Sequence, residues 1–162
     1  MRRARLLAIG LAVGLAVTGC APVPEAGAVS YRNSEVGLAS TLRFDLARFQ
    51  GDWVVRASYP NDGLARVTVK PVSARRFVWR ADGRAQRGAV TGPGRFRLDG
   101  ERAEYWVLWL DDGFRTAAIG TPDGRFGLIL DRKAEGGEDR MVAAREMLDF
   151  NGYDVSQIVA RP

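Results

Sequence analysis

The sequence contains no histidine and only one cysteine, Cys20, among its 162 residues. Histidine is the usual general base and, with cysteine, a common zinc or haem ligand, so its absence excludes a Ser-His-Asp triad and an ordinary metal site. Paired carboxylates occur at Asp111-Asp112, but a following glycine makes a turn role the better interpretation. We therefore predict a protein that is not an enzyme and that holds no cofactor and no metal.

Lysine is also scarce, since 22 of the 24 basic residues are arginine. The formal net charge is +5, but three of the arginines lie within the first five residues. Without them, 21 basic residues face 19 acidic ones, which leaves a charge of +2. A balance this close to neutral is weak evidence for a nucleic-acid partner, and we predict none.

Long hydrophobic runs are limited to Leu6–Val17, a run of twelve residues that follows the arginines at the N-terminus. This pattern is typical of a secretory signal peptide and is too short for a membrane-spanning helix. The run ends in LAVTGC, which resembles the bacterial lipobox, so we predict cleavage after residue 19 and acylation of Cys20. An ordinary signal peptide with an incidental cysteine is the alternative. Ala21, rather than an aspartate, follows the cysteine. By resemblance to proteobacterial sorting signals, this implies transfer to the outer membrane, with the protein expected to face the periplasm.

The chain after the cysteine divides into two regions. Residues 20–40 are rich in Ala, Gly, Pro and Ser without an apolar period, which predicts a flexible lipid-anchored tether. Residues 41–162 form the predicted domain. Seven turn signals, such as Asp82-Gly83 and Pro122-Asp123-Gly124, divide its first part into short β-rich stretches. We predict eight strands, near 53–59, 64–72, 75–81, 86–91, 95–98, 103–110, 114–120 and 126–132.

Because no helical pattern interrupts these stretches, sequential strands are expected to pair as an antiparallel meander. Eight such strands either close into a barrel or leave two edge strands with unpaired backbone N–H and C=O groups, and closure pairs those groups. Glu138–Leu148 has acidic residues in its first turn and an apolar stripe, which predicts a helix, and Ser156–Ala160 predicts a last short strand. The predicted fold is all-β: an eight-stranded up-and-down barrel with one C-terminal helix packed outside.

Three stretches in this order resemble the lipocalin family, most closely bacterial outer-membrane lipoprotein lipocalins and apolipoprotein D. They are DLARFQGDW, YWVLWLDDGFRTAAIGTPDGRFGLILDR and LDFNGYDVSQIVARP, and they cover residues 41–60 and 104–162. The family positions matched within them are Gly51, Trp53, Thr121, Pro122, Asp123 and Arg132. The resemblance implies that Trp53 closes one end of the barrel with Arg132 packed across it, so that both are structural residues. A departure is Val54-Val55, where the family commonly has Tyr-Glu.

The resemblance also implies an inward phase for the strands. In that phase the expected ligand-binding residues are Val55, Ala57, Val67, Val69, Phe77, Trp79, Tyr105, Val107 and Trp109. The period of the strand near 105 leaves its phase open, since Trp106, Leu108 and Leu110 form an equally apolar opposite face. A core that these side chains fill completely, without a cavity, is the alternative to a binding pocket.

Two function hypotheses follow. The first is a lipid-anchored protein that binds one small hydrophobic or amphipathic ligand, a fatty acid or a lysophospholipid, for storage or transport in the envelope. The second is a filled barrel that acts as a structural or interaction module there. A basic stretch, residues 75–102, has eight arginines against Asp82, Asp99 and Glu101. It is either a solvated exterior or a surface for lipid phosphates or an anionic membrane.

Overall fold

The computed structural model describes residues 29–60 and 63–161. These residues form two helices and nine strands. In chain order they are α1 Leu46–Phe49, β1 Gly51–Ser58, β2 Arg66–Pro71, β3 Arg76–Ala81, β4 Arg84–Gly92, β5 Arg95–Leu98, β6 Glu104–Leu110, β7 Thr116–Gly120, β8 Gly127–Asp131, α2 Glu138–Phe150 and β9 Val159–Ala160. The predicted order of strands and helix is confirmed. The predicted signal peptide, Cys20 and the first part of the predicted tether, up to residue 28, lie outside the described residues.

The strands form one closed antiparallel barrel. Each strand from β2 to β7 pairs with the next along the chain, and β1 pairs with both β8 and β2. The two-residue β9 pairs with the end of β1, where Ala57 lies opposite Ala160. Full closure leaves β1–β8 without a free edge in the barrel wall, so the predicted fold class is confirmed.

Turn residues match the backbone that each tight connection needs. In the β3–β4 hairpin, Asp82 and Gly83 both have positive φ angles, 44° and 86°. Two consecutive left-handed residues are what a type I′ turn requires, and Asp-Gly is a preferred pair for it. The Asp82 carboxylate also accepts backbone N–H groups of Ala65 and Arg66, which ties this turn to the start of β2.

Apolar side chains divide between the inside of the barrel and the space under α2. The inner cluster contains Leu46, Phe49, Trp53, Val55, Val67, Val69, Phe77, Trp79, Phe96, Leu98, Tyr105, Val107, Leu110, Phe114, Ala117, Ile119, Leu128 and Leu130. The outer cluster contains Tyr31, Ala57, Tyr59, Leu108, Ala118, Ile129, Ala144, Leu148, Tyr153 and Ile158. Strands β6–β8, on which α2 packs, are therefore apolar on both faces, and this is why β7 and β8 are buried at every position.

A buried polar contact joins α2 to the barrel wall. The Arg140 guanidinium donates to the Thr116 hydroxyl at 2.8 Å and to the Asp131 carboxylate at 3.3 Å. Thr116 also donates its hydroxyl proton to Asp131, and Asp131 is fully buried. Each buried charge is thus paired, as burial requires.

The chain before β1 packs on the barrel and includes a helical turn that sequence periodicity did not predict. Asp45 caps α1 by accepting the N–H groups of Ala47 and Arg48. Upstream, Tyr31 is buried and its N–H donates to the Gly124 carbonyl at 2.8 Å. Residues 30–41 therefore belong to the packed domain, which differs from the expectation of a flexible tether that reaches residue 40.

Over the described residues, neither helix has the length and apolar character needed to cross a membrane.

Candidate functional site

One end of the barrel is closed by Trp53 and Arg132. Trp53 is 1% exposed, and its indole N–H donates to the Phe49 carbonyl at 2.9 Å. The Arg132 guanidinium carbon lies 3.6 Å from the centroid of the Trp53 ring. Its nitrogens donate to the backbone carbonyls of Phe114, Asp52, Arg48 and Phe49 at 3.0 to 3.4 Å. The predicted packing of Arg132 across Trp53 is present, and the group has a structural role.

Burial lowers the pKa of the Arg132 guanidinium below its usual value, and this is the largest cause; the charges of Asp52 and Asp131 act in the opposite direction. The neighbouring Gly51 has a φ angle of +99°, which side-chain-bearing residues rarely adopt. A Cβ there would also lie 3.2 Å from an Arg132 nitrogen. The absence of a side chain at Gly51 therefore lets the Arg132 guanidinium lie close to the backbone at the closed end of the barrel.

The middle of the barrel is filled by a row of aromatic rings. Phe96 is central: its ring centroid lies 5.5 Å from those of Phe77 and Trp79 and 5.3 Å from that of Tyr105, on which it stacks. Tyr105 in turn meets Phe126 edge to face at 5.0 Å. Such contacts at centroid distances of about 4.5–7 Å are favourable beyond the area they bury. The row separates the closed end from the opposite end of the barrel.

At that opposite end, which we call the mouth, a pocket of about 200 Å³ remains. The β3–β4, β5–β6 and β7–β8 connections border it, together with Leu64 just before β2. Its lining residues are Leu64, Trp79, Ala81, Arg84, Gln86, Leu98, Glu101, Tyr105 and Phe126. The aromatic row forms the floor, so the pocket is apolar below and polar at the rim.

The polar groups of the mouth are organised around Glu101. Its carboxylate accepts the Gln86 amide N–H at 2.8 Å and the Tyr105 hydroxyl proton. Arg84 stands on the rim, is exposed, and has no side-chain hydrogen bond or ion pair within the described chain. The mouth thus combines an apolar floor, the Glu101 carboxylate held by two hydrogen bonds, and the Arg84 guanidinium, which has no partner among the described residues.

Seven of the nine expected ligand-binding residues face the interior: Val55, Val67, Val69, Phe77, Trp79, Tyr105 and Val107. Of these, only Trp79 and Tyr105 line the mouth pocket, because the others pack deeper in the barrel. Their role in binding stays a prediction.

The expected inward orientation does not hold for Ala57 and Trp109, which belong to the outer cluster near α2. The reason is an irregularity in each strand: the register shifts between Val55 and Ala57 in β1 and between Val107 and Trp109 in β6. A bulge inserts one residue and exchanges the two faces beyond it. Leu110 therefore points inward after the bulge although Trp106 and Leu108 point outward.

Several lining residues were absent from the predicted set. Leu64, Ala81, Leu98 and Phe126 border the mouth, and Phe96 fills the centre. Leu64, Ala81, Phe96 and Leu98 come from the middle of the chain, where no family motif was matched, and Phe126 lies within a matched stretch but outside the predicted inward set. The alternation Phe96-Arg97-Leu98 in a four-residue strand was the available signal, since it places two apolar side chains on one face.

The remaining motif residues form turns. In Thr121-Pro122-Asp123 the threonine hydroxyl donates to the Asp123 carboxylate at 2.6 Å, and the Gly124 N–H donates to the Thr121 carbonyl at 3.0 Å. The Asp111 carboxylate accepts N–H groups of Gly113, Arg115 and Thr116. Burial raises the pKa of Asp111, but these hydrogen bonds and the Arg115 guanidinium outweigh it and hold the pKa below its usual value. No metal-binding group of acidic residues occurs within the described part of the chain.

Comparison with known proteins gives a family match and a set of structural neighbours. The family described as Lipocalin-like domain matches residues 80–162, just over half of the 162-residue chain. No curated protein sequence matches significantly.

The structural neighbours share the fold at low sequence identity. Lobster apocrustacyanin A1 is 15% identical, with 70% of this chain and 77% of that chain covered and a TM-score of 0.56. The cockroach allergen Per a 4 is 12% identical, with 77% and 91% covered and a TM-score of 0.57. The siderocalin Ex-FABP, which functions through dual ligand specificities, is 15% identical, with 71% and 94% covered and a TM-score of 0.55.

Proposed function

Because the chain belongs to the lipocalin family, we propose that it binds one small hydrophobic or amphipathic ligand at the mouth of its barrel. Proteins of this family generally bind or carry small molecules and are not enzymes, and the fold is consistent with such binding. The observation that carries the proposal is the mouth pocket, whose floor is the aromatic row and whose rim holds Arg84 and Glu101. Pockets with an apolar body and a few placed polar groups are the usual form of small-molecule sites.

The charge at the rim of the mouth supports a ligand with an anionic head group. Arg84 offers a guanidinium that no carboxylate of the described chain neutralises, and guanidinium groups pair well with carboxylate or phosphate. A fatty acid or a lysophospholipid matches this arrangement, because its acyl chain suits the floor and its anionic head suits Arg84. Glu101 would disfavour a head group that carries more than one negative charge near the floor.

The size of the pocket limits the affinity. Its volume of about 200 Å³ is below the roughly 300–1,000 Å³ typical of ligand pockets, so only part of an acyl chain is enclosed. Enclosing about six methylenes gains roughly 5 kcal/mol, and association costs at least about 4 kcal/mol. The enclosed methylenes alone thus leave a net of about 1 kcal/mol, far short of the roughly 8 kcal/mol of a micromolar complex, so stable binding requires the head-group contact with Arg84 and movement of the aromatic floor.

The same volume favours the second candidate function, a filled barrel that acts as an interaction module. A titration decides between the two. Trp79 is the only tryptophan that lines the mouth, since Trp53 lies at the closed end and Trp106 and Trp109 lie outside the barrel. Fatty acids or lysophospholipids should change the Trp79 emission with one-to-one saturation, and Trp79→Phe should remove the signal while Trp109→Phe keeps it.

A matched pair of substitutions locates the site. Ala81→Phe places a ring in the mouth pocket, whereas Ala85→Phe places the same ring on the exposed outer face of the same hairpin. Binding should be lost in the first variant and kept in the second. Equal affinities in both variants, or no saturation with any ligand in the wild type, would support the filled barrel instead.

We also propose that the protein is anchored in the outer membrane through an acylated Cys20. The lipobox-like sequence before Cys20 supports this, and so does the place where the packed chain begins. Ser30 donates its hydroxyl proton to the Asp123 carbonyl at 2.8 Å, beside the β7–β8 turn that borders the mouth. The eight residues 21–28 span at most about 30 Å, so an anchor at Cys20 would keep the mouth close to membrane lipids.

A fatty-acid metabolic probe tests the anchor independently of ligand binding. The wild type should be labelled and Cys20→Ser should not be labelled. For binding measurements a chain that begins at Ala21 is suitable, because every residue of both hydrophobic clusters lies between Tyr31 and Ile158. Such a chain keeps the whole core and lacks the predicted signal peptide and lipid.

A further inference from the structure

We propose that the outer face of strands β2–β5 docks the protein on an anionic phospholipid surface. The face is defined by the outward cations Arg66, Lys70, Arg76, Arg80, Arg87, Arg95 and Arg97, which alternate with residues of the inner cluster. The outward positions between them are occupied by threonine, valine and alanine. This basic face goes beyond ligand binding at the mouth and does not depend on it.

The charge of the molecule is strongly divided. Residues 66–98 contain nine basic residues and one acidic residue, Asp82, whereas the other described residues contain 12 basic and 16 acidic ones. The division follows the fold, because β2–β5 form one side of the barrel and α2 packs on β6–β8 at the other. Residues 66–98 thus carry a net charge of +8 (9 basic minus 1 acidic), and the other described residues carry −4 (12 basic minus 16 acidic).

The cations of the basic face are largely unneutralised. No carboxylate lies on the outward positions of β2–β5, and the acidic neighbours are Asp52 and Glu104 on the flanking strands. Asp52 accepts the Thr68 hydroxyl proton, and Glu104 lies 3.8 Å from Arg97. Lys70, Arg76 and Arg87 are exposed and have no side-chain hydrogen bond or ion pair within the described chain.

The geometry of the sheet concentrates these charges. Four strands at spacings of about 4.8 Å give the face a width of roughly 14 Å. Along the strands the register runs from Arg66, one residue beyond the Val67–Ala81 pair, to Arg95 opposite Gly92, which is about eight residues or roughly 27 Å. Such a density attracts anions and costs self-repulsion. A surface of many phosphates satisfies all of the cations together, and a single small anion does not.

The composition of the face selects a membrane over a macromolecular partner. A stable protein interface needs an apolar centre with aromatic anchors, and the only large apolar side chain among the outward positions of β2–β5 is Val78. Single-stranded nucleic acid is held by stacking on aromatic rings, which this face also lacks. Phosphate head groups of a bilayer require neither, because arginine and lysine side chains reach them from a flat or convex wall.

Vesicle binding by the chain that begins at Ala21 tests the proposal. The wild type should sediment with vesicles that contain phosphatidylglycerol, should not sediment with pure phosphatidylcholine vesicles, and should be released by salt. The face variant Lys70→Gln/Arg76→Gln/Arg87→Gln should bind phosphatidylglycerol vesicles about 100-fold more weakly, since each basic residue contributes about fivefold.

A matched control variant separates the face from total charge. Arg43→Gln/Arg125→Gln/Lys133→Gln removes two arginines and one lysine that are equally exposed but lie elsewhere. It loses only exposed ion pairs, Arg43 with Asp112 and Arg125 with Asp123, so its fold should be kept. Its binding should stay within a few-fold of the wild type, and unchanged circular dichroism melting should accompany both variants.

Three outcomes would overturn the proposal. The first is the absence of wild-type binding to phosphatidylglycerol vesicles. The second is an equal loss of binding in the face and control variants, which would indicate a general charge effect. The third is a salt-sensitive dimer in analytical ultracentrifugation that the face variant abolishes, which would make a second copy of the chain the occupant of the face.

Discussion

Replacing Arg132 by alanine perturbs the closed end of the barrel at its most connected side chain. The substitution removes a guanidinium that stacks 3.6 Å from the Trp53 ring centroid and donates to four backbone carbonyls. Stacking contributes about 0.5–2 kcal/mol, and the carbonyls that lose their donor add a desolvation cost of about 1–3 kcal/mol each when water cannot replace it. Because Arg132 is only partly buried, water can reach some of these carbonyls, and we expect a total loss of about 3 kcal/mol in the free energy of unfolding.

Urea unfolding followed by far-UV circular dichroism measures this loss without relying on tryptophan emission. Trp53→Ala should cost about 3–5 kcal/mol, as for other large buried aromatics. The double variant should lose less than the sum of the two, because the residues touch. Arg132→Lys should be intermediate, since lysine keeps the charge and lacks the planar fork.

Arg125→Ala is the matched control, because Arg125 is exposed and its one ion pair, with Asp123, spans 3.8 Å. It should change the stability by less than about 0.5 kcal/mol. Simple additivity of the Trp53 and Arg132 losses, or an Arg132→Ala loss as small as that of the control, would refute the reasoning.

Three further predictions concern polar contacts elsewhere in the fold. Asp111→Asn should lower the free energy of unfolding by about 1–3 kcal/mol at pH 7. Because the fold lowers the pKa of Asp111, the stabilisation is complete above the ordinary aspartate pKa of about 3.9 and declines as the pH falls through the lowered pKa. Urea unfolding should therefore show the stabilities of the wild type and the variant converging in acid. Arg140→Ala leaves the buried Asp131 carboxylate without its cation and should lower the free energy of unfolding by about 3–5 kcal/mol in the same assay. Arg145→Ala on the same helix should cost far less, because Arg145 donates to the Val155 carbonyl and pairs with no buried charge. Tyr153→Phe removes a buried hydroxyl that is hydrogen-bonded to Thr121 at the β7–β8 turn, and burial raises the pKa of this hydroxyl to about 12. The substitution should cost about 1–2 kcal/mol and lower the melting temperature by several degrees.

The fold was predictable because its strands alternate and its turns carry their own chemistry. Asp82-Gly83 predicts a hairpin from two residues alone, and both adopt the positive φ angles that such a turn needs. The cap formed by Trp53 and Arg132 was predictable only through the family resemblance, since 79 positions separate the two residues and no spacing rule joins them.

The inward set was less predictable, because strand phase depends on an unbroken alternation. A bulge in β1 and another in β6 exchange the faces, so Ala57 and Trp109 contact the outer cluster and Leu110 points inward. The residues at the two bulges, Arg56 and Leu108, are neither glycine nor proline, so nothing in the sequence signals either bulge. Whether the centre of the barrel holds a ligand or an aromatic row depends on packing between strands distant in sequence, which periodicity does not describe.

The short helix α1 and the packed residues 30–41 show the same limit. α1 has four residues, too few for a helical period, and its one local signal is the capping residue Asp45. The segment before it has a loop-like composition, yet Tyr31 stacks on Tyr59 at a centroid distance of 4.5 Å and is buried. Composition identifies such a segment as irregular and does not report whether it packs.

The central claim, that the mouth of the barrel binds one small hydrophobic ligand, is tested most directly by native mass spectrometry of the protein purified from its own membranes. We predict one retained small molecule per chain in the wild type and in Ala85→Phe, and none in Ala81→Phe, whose added ring occupies the mouth. A wild type that carries no small molecule, or an Ala81→Phe variant that retains the same molecule as the wild type, would contradict the account.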